Sequence, residues 1–265
     1  MRQNSADIDD RKDDLNDLLD RDPGETRAFW EKLDRSWVFH ENGLEGIVIN
    51  SEEMATALQA VVPVAEAGKA AFLADIRRQY NAIKLVKEEA ASPRGKITPV
   101  LVKDLFETLT GGEAGKGKIE YRRDMPLHRT YFHDITQPVR IVPDLTKLID
   151  WTTAPDFLNL HPLQQAAQFH HKFMTIFPFT DLSGKVGRLI LDIMVMRAGY
   201  MPAVIHAIDR QRYYDSLKQQ PRVLQAVLTE AIEHVTEVGF KWFGHSAPVV
   251  EQQPPQRHAP RAKAG

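Results

Sequence analysis

The stretch "IFPFTDLSGKVGRL", Ile176 to Leu189, decides how this chain is read. A proline and a polar cluster separate one helix-like segment from another. Before it, Ala166, Phe169, Phe173 and Ile176 recur at helical spacing. After it, Val186 to Met196 is apolar nearly all round, as expected for a short central buried helix. The cluster between them, Asp181 to Arg188, lies where that helix must begin. Backbone N–H groups at Ser183, Gly184 and Lys185 would point out of the helix start, where the macrodipole favours an anion. Gly184 permits close approach of a phosphate. Lys185 and Arg188, three residues apart, share a face and could clamp its oxygens. Asp181 could hold Mg²⁺ bridging two phosphates. A capped helix start with solvated charges accounts for the same residues without any ligand. The "SGK" within the cluster is not a P-loop. Phe179 and Val186 stand where that motif needs Gly and Ser or Thr, and a helix rather than a strand precedes the turn.

Working outward, the pattern stays helical. Phe29, Trp30, Leu33 and Trp37 predict a helix from Thr26 to about Phe39, and Ser51 is placed to cap another containing Met54 and Leu58. Phe72, Ile76, Tyr80 and Ile83 mark a long helix ending before Pro93, and Thr98 opens one through Leu101, Leu105 and Leu109. Asp144 starts a further helix, Pro162 suits the first turn of the next, and others follow from Asp209 and Pro221. "TGGEAGKGKIEYRRD" reads as a glycine-rich loop. "RTYFHDITQPVRIVP" is the one β-like segment, with Tyr131, Phe132, Ile135, Val139 and Ile141 suited to a short hairpin. Gly199 can end the buried helix and Pro202 prevents its return.

The organisation expected is an acidic segment 1–25, a helical region 26–95, a main domain 96–240 and a Pro/Gln-rich basic tail 247–265. The acidic segment reads as a solvated or frayed helix in which Ile8, Leu15 and Leu19 form a thin stripe. The tail reads as disordered. A formal charge of −2 and the lack of a basic stripe argue against a nucleic-acid partner. The absence of cysteine excludes disulfides, thiolate metal sites and a cysteine nucleophile. No signal-like start and no apolar run of membrane-spanning length is present, so a cytoplasmic protein without a membrane partner is expected.

Phe177 to Arg188 resembles, without a gap, the Fic (Fido-domain) signature H-P-F-x-(D/E)-G-N-G-R-x-x-R. Pro178, Phe179, Asp181, Gly184 and Arg188 match it, and the flanks "FHHKFMTI" and "RLILDIMVMRAGYMPAVIHAIDRQRYY" are similar too. The resemblance implies an all-α fold with a short β-hairpin flap, here about Thr130 to Ile141. It implies transfer of AMP from ATP to a hydroxyl of a target protein, with Mg²⁺ carried on the phosphates. It places Asp181 as the metal-binding acid, Ser183 and Gly184 in the phosphate nest, and Lys185 and Arg188 as the two family arginines. Many members carry an inhibitory helix, (S/T)-x-x-x-E-(G/N), whose glutamate pairs with the second arginine. "ENGLEG" supplies Glu45 and Gly46 at that spacing, with Glu41 in place of Ser/Thr; a surface acid at a helix end is the plain reading of Glu45.

The signature also breaks. Phe177 stands at the catalytic histidine and offers no atom to take a proton, a loss worth about 10²–10⁴-fold for a general base. Leu182 and Ser183 replace Gly and Asn, and Lys185 keeps a charge without the arginine fork. His170, seven residues before Phe177, is about 10 Å away along a continuous helix, and His171 is turned from it. His133, Asp134 and His206 are further candidates for a base, and Arg210 and Tyr213 for lining the pocket. The expected function is therefore nucleotide binding with AMP transfer weakened, altered or lost; the alternative is an inactive scaffold for protein interaction, and a homodimer is compatible with either.

Overall fold

The computed structural model describes residues 2–59, 67–92, 94–112, 121–126 and 135–244. In chain order the helices are α1 (Arg2–Arg21), α2 (Pro23–Leu44), α3 (Ser51–Ala57), α4 (Ala67–Ala90), α5 (Pro99–Thr110) and α6 (Ile141–Trp151). They continue with α7 (Pro155–Leu158), α8 (Pro162–Ile176), α9 (Ser183–Arg197), α10 (Arg210–Ser216) and α11 (Pro221–Trp242). Short 3-10 turns at Pro138–Arg140 and Ala207–Asp209 lead into α6 and α10. No strand occurs among the described residues.

Helix α9 is the axis of the fold. Val186, Leu189, Ile190, Leu191, Ile193 and Val195 are all buried, so the helix is enclosed on every face, as its uniform apolarity requires. It packs on α8, α4 and α5, and α8 packs in turn on α11 and α6. The helix ends at Ala198, and Gly199 follows with φ +87°, a left-handed conformation that glycine adopts without strain.

Helix starts follow side-chain chemistry more closely than apolar spacing does. Helix α2 begins ahead of Thr26 because Asp22 Oδ1 accepts from the N–H groups of Gly24 (2.8 Å) and Glu25 (3.0 Å), with Pro23 at the first position. Asn50, not Ser51, caps α3. Its Oδ1 accepts from Glu53 N at 2.9 Å, while Glu53 Oε2 accepts from Asn50 N at 2.9 Å, a reciprocal capping box. Thr98 caps α5 as expected.

Two expectations need correction. The acidic segment 1–25 is helical as read but neither solvated nor frayed: α1 is a 20-residue helix that buries Ile8, Leu15 and Leu18 against α11 and α2. Three apolar residues on one face suffice because they meet a fitted surface: Leu15 Cδ1 lies 2.8 Å from where a Cβ on Gly239 of α11 would stand. Asn16 Nδ2 also donates to Gly199 O at 3.0 Å. The hairpin is the second. Residues 130–134 of that stretch lie outside the described residues, and the remainder forms no strand. Pro138 has no N–H for a ladder and opens a 3-10 turn, and Ile141 begins α6 with its side chain wholly buried. Most of the glycine-rich loop and the tail 247–265 also lie outside the described residues. No helix among those described is long and apolar enough to cross a membrane.

Candidate functional site

Helix α8 stops at Phe177, which takes φ 47° and ψ 65°. It is the only non-glycine residue with positive φ among those described. Left-handed backbone costs an L-residue about 1–2 kcal/mol, so something must hold it. Arg122, buried, supplies the clasp. Its Nε donates to Phe177 O at 2.7 Å and its Nη2 to Ile176 O at 3.2 Å and to Thr136 O. Its own N–H donates to Pro178 O at 2.9 Å, and Thr136 N donates to Thr175 O at 2.9 Å. One guanidinium thus satisfies carbonyls that the helix end leaves orphaned and ties two other segments, those of Arg122 and Thr136, to the corner. Arg122→Ala is expected to lower stability by about 1–3 kcal/mol by stranding buried carbonyls, and Arg122→Lys to recover only part of it because an ammonium lacks the fork. Urea unfolding of both variants checks this.

Past the corner, Phe179 is buried and stacks on Phe106 (4.3 Å between centroids) and Tyr121 (5.8 Å). Ser183 Oγ accepts from Phe179 N and donates to Phe179 O, both at 2.8 Å. Its hydroxyl therefore braces the turn, and only its backbone can meet a ligand. Helix α9 begins at Ser183 with Leu182 as N-cap and no side-chain cap bond. Its first-turn amides keep the positive end of the dipole available for an anion. Asp181 is exposed on the turn. Among the described residues no group of three or more His, Asp or Glu could hold a metal. Asp181 would therefore need phosphate oxygens and water to complete a Mg²⁺ shell.

The two cations of the stretch both turn toward the last turn of α2. Arg188, 2% exposed, donates from Nε to Glu41 Oε1 (2.9 Å) and Oε2 (3.1 Å), from Nη2 to Glu41 Oε2 (3.0 Å), and from Nη2 to Glu45 Oε1 (2.6 Å). Lys185 Nζ donates to Asn42 Oδ1 at 3.0 Å. Arg210 Nε donates to Leu44 O at 2.7 Å, so the end of α2 is held from α10 as well. Arg188 Nη1 is buried with no hydrogen-bond partner among the described residues. A Cβ on Gly184 would lie 3.0 Å from both that Nη1 and Glu45 Oε1. The surface over Gly184 is thus covered by one unmatched donor and one carboxylate, with no room for even a methyl group until Glu45 moves.

Burial opposes the charge of Arg188, but Glu41, Tyr213 and Glu45 outweigh it and hold its pKa well above the usual value. Burial lowers that of Lys185, with Glu41 and Glu45 working against the shift. Asp192, buried one turn further along α9, accepts from Ala203 N at 2.8 Å. Burial and the nearby Glu41 push its carboxyl well above the carboxylate range.

No described histidine takes the place that Phe177 vacates. His170 is wholly buried, with Nε2 2.7 Å from the Tyr213 hydroxyl, and burial with Arg188 nearby lowers its pKa to about 3. The same Tyr213 lies under Arg188 at 5.5 Å. His171 Nε2 is 2.8 Å from Gln219 O. His206 stacks on His40 at 4.1 Å and meets His234 edge-on at 4.5 Å. His133 and Asp134 lie outside the described residues.

Of the residues singled out in the sequence, the structure brings Gly184, Arg188 and Glu45 to one place, with Lys185 beside them. Sequence reasoning missed Glu41 as a second acid on Arg188, Asn42 as the partner of Lys185, and Arg122 as the clasp. The one available signal was the i, i+4 spacing of Glu41 and Glu45, which puts both carboxylates on one face of α2.

Residues 96–195 match the Fic/DOC family. Among curated relatives, the chain is 43% identical over 70 residues to the protein adenylyltransferase Fic of Nematostella vectensis, covering 26% of this chain and 16% of that one. It is 34% identical over 80 residues to protein adenylyltransferase fic-1 of Caenorhabditis elegans, covering 30% and 16%. The similarity therefore spans about one sixth of the length of these relatives. Among solved structures, a Fic-domain-containing signaling protein from Bacteroides thetaiotaomicron superposes with TM-score 0.73 at 19% identity, over 91% of this chain and 99% of that one. Fic-1 from C. elegans gives 0.72 at 20% identity, over 92% and 71%. At these identities the superpositions speak for the fold, which here is helical like theirs. The match over residues 96–195, which contains the corner, the turn and nearly all of α9, identifies that part of the chain as a Fic/DOC domain.

Proposed function

We propose that the start of α9 binds the phosphates of a nucleotide, ATP or a relative of it, and that the last turn of α2 competes for the same place. The observation that carries this is the buried, unmatched Nη1 of Arg188 beside a Glu45 carboxylate that an anion could displace. First-turn amides that no side chain caps, and the close backbone at Gly184, fit a phosphate group once Glu45 moves aside. Asp181 would hold Mg²⁺ jointly with the phosphates, and the ion would supply charge neutralisation there. Ser183 contributes its amide while its hydroxyl keeps the turn in shape. Glu45 acts as the inhibitory acid.

AMP transfer to a protein hydroxyl is weakened, altered or lost in this reading. Phe177 has no proton-accepting atom, and the described histidines are engaged elsewhere. An inactive scaffold with a target protein as partner is the second reading, and the same Phe177 favours it. Calorimetric titration of ATP with and without Mg²⁺ separates them from a ligand-free site. Binding is expected to strengthen in Glu45→Gly and to fall at least tenfold in Arg188→Ala; no binding of ATP, AMP or inorganic phosphate in either the parent or Glu45→Gly refutes the site. Phe177→His is expected to leave AMP transfer far below that of a relative with an intact signature, because Leu182, Ser183 and Lys185 also differ. Labelled-ATP incorporation at the intact level would refute that expectation.

A further inference from the structure

Arginine presents its N–H groups along Nε, Nη1 and Nη2, and what a ligand can use depends on which the protein has already engaged. In this chain Glu41 engages Nε and Nη2 together through three contacts of 2.9–3.1 Å. Glu45 adds one contact to Nη2. Among the described residues only Nη1 is unmatched, and it lies against Gly184, 3.0 Å from where a Cβ would stand, beside the Glu45 carboxylate that covers the same spot.

The two acids differ in how readily they can leave. Glu45 is the C-cap of α2, and its side chain is 22% exposed. Glu41 lies a full turn inside the helix with its side chain 5% exposed, among the buried Val38, Asn42 and Leu44. Removing Glu41 from Arg188 would mean unwinding α2 past Leu44, whose carbonyl accepts from Arg210 at 2.7 Å. Lys185 is likewise committed, because Asn42, its acceptor at 3.0 Å, is fixed by donating to Val38 O at 2.8 Å. An arriving anion therefore displaces one carboxylate, meets one edge of one guanidinium, and still faces the negative charge of Glu41.

We infer that Glu41 is a specificity-determining residue that restricts this site to a single phosphate group, as in a nucleoside monophosphate, over a triphosphate. The inference rests on the phosphate-site reading above and deepens it. A triphosphate carries several charges that an unoccupied fork on Arg188 would match; with the fork filled, the second and third phosphates meet like charge instead. One phosphate needs only the α9 amides and the Nη1 edge.

The test is isothermal titration of the full chain with AMP, with inorganic phosphate and with ATP plus Mg²⁺ at fixed ionic strength, for the parent, Glu45→Gln and Glu41→Gln. AMP is expected to bind at least tenfold more tightly than ATP in the parent and in Glu45→Gln. In Glu41→Gln, ATP is expected to gain at least tenfold relative to AMP. Inorganic phosphate binding as tightly as AMP supports the single-phosphate preference and assigns recognition to the phosphate alone. A parent and Glu45→Gln that both prefer ATP, or an unchanged AMP-to-ATP ratio in Glu41→Gln, overturns the inference while leaving the site reading intact. Binding of none of the three probes to any variant overturns the site reading itself. Should Glu41→Gln fail to fold, the ratio in the parent and Glu45→Gln still decides.

Discussion

Arg188→Met will lower the unfolding free energy by about 3–5 kcal/mol, the cost of leaving a buried carboxylate without its counter-ion. The stranded group is Glu41, 4% exposed, which loses all three of its contacts to the guanidinium while remaining near the buried Asp192. The hydrophobic replacement fills much of the volume, so the loss reports charge rather than cavity. Combining it with Glu41→Gln should recover most of the deficit, because the polar group left behind is then neutral. Urea unfolding of the two single variants and the double variant gives the coupling energy directly. A loss below 1 kcal/mol in Arg188→Met, or additive effects in the double variant, would show that the pair contributes little.

Stability will also depend on pH below neutrality, with the sign set by buried neutral histidines. Burial, with His206 and His234 nearby, lowers His40 to about 4; burial and Arg188 lower His170 to about 3. Both lie below the unfolded value near 6.5, so the unfolded chain takes up protons first as pH falls. The stability these two supply is complete above about 6.5 and declines from there toward pH 4 and 3 respectively. Each contributes a slope of at most about 1.4 kcal/mol per pH unit. Asp192 runs the other way: its folded pKa is raised, so its contribution shrinks as pH rises through the acid range and offsets part of the slope. The expected measurement is that His170→Gln flattens the stability profile between pH 4.5 and 6 by roughly 1 kcal/mol per unit, and Asp192→Asn steepens it. A His170→Gln profile parallel to the parent would mean that this histidine is protonated in the fold.

What could be read in advance was whatever local chemistry dictates. The apolar wrap of Val186 to Met196 gave a central helix, Thr98 and Pro162 marked helix starts, and the signature pointed to the Fic/DOC match over residues 96–195. What could not be read depends on partners far along the chain. Arg188 and Glu41 are separated by 147 positions, Arg122 and Phe177 by 55. Neither spacing leaves a periodic trace. The acidic α1 looked solvated because composition counts its charges, while packing needs only the face that carries Ile8, Leu15 and Leu18. Glu41 is the instructive case. As a departure from a motif position it read as a lost residue, yet it makes more hydrogen bonds to Arg188 than the motif glutamate does.

The way α2 is anchored bears on how the molecule opens. Phe29, Leu33 and Trp37 fix the body of the helix in the core, whereas only its last turn touches the start of α9. Exposing the turn before α9 therefore calls for fraying at the C-cap residue Glu45, with Glu41 staying on Arg188, rather than displacement of a whole element. Such fraying is local unfolding, and its free energy lies well below that of global unfolding. Amide hydrogen exchange will show it as early loss of protection at Glu45, Gly46 and Ile47, whose N–H groups bond back to Asn42 and Gly43, while Trp37 and Val38 exchange only with the core.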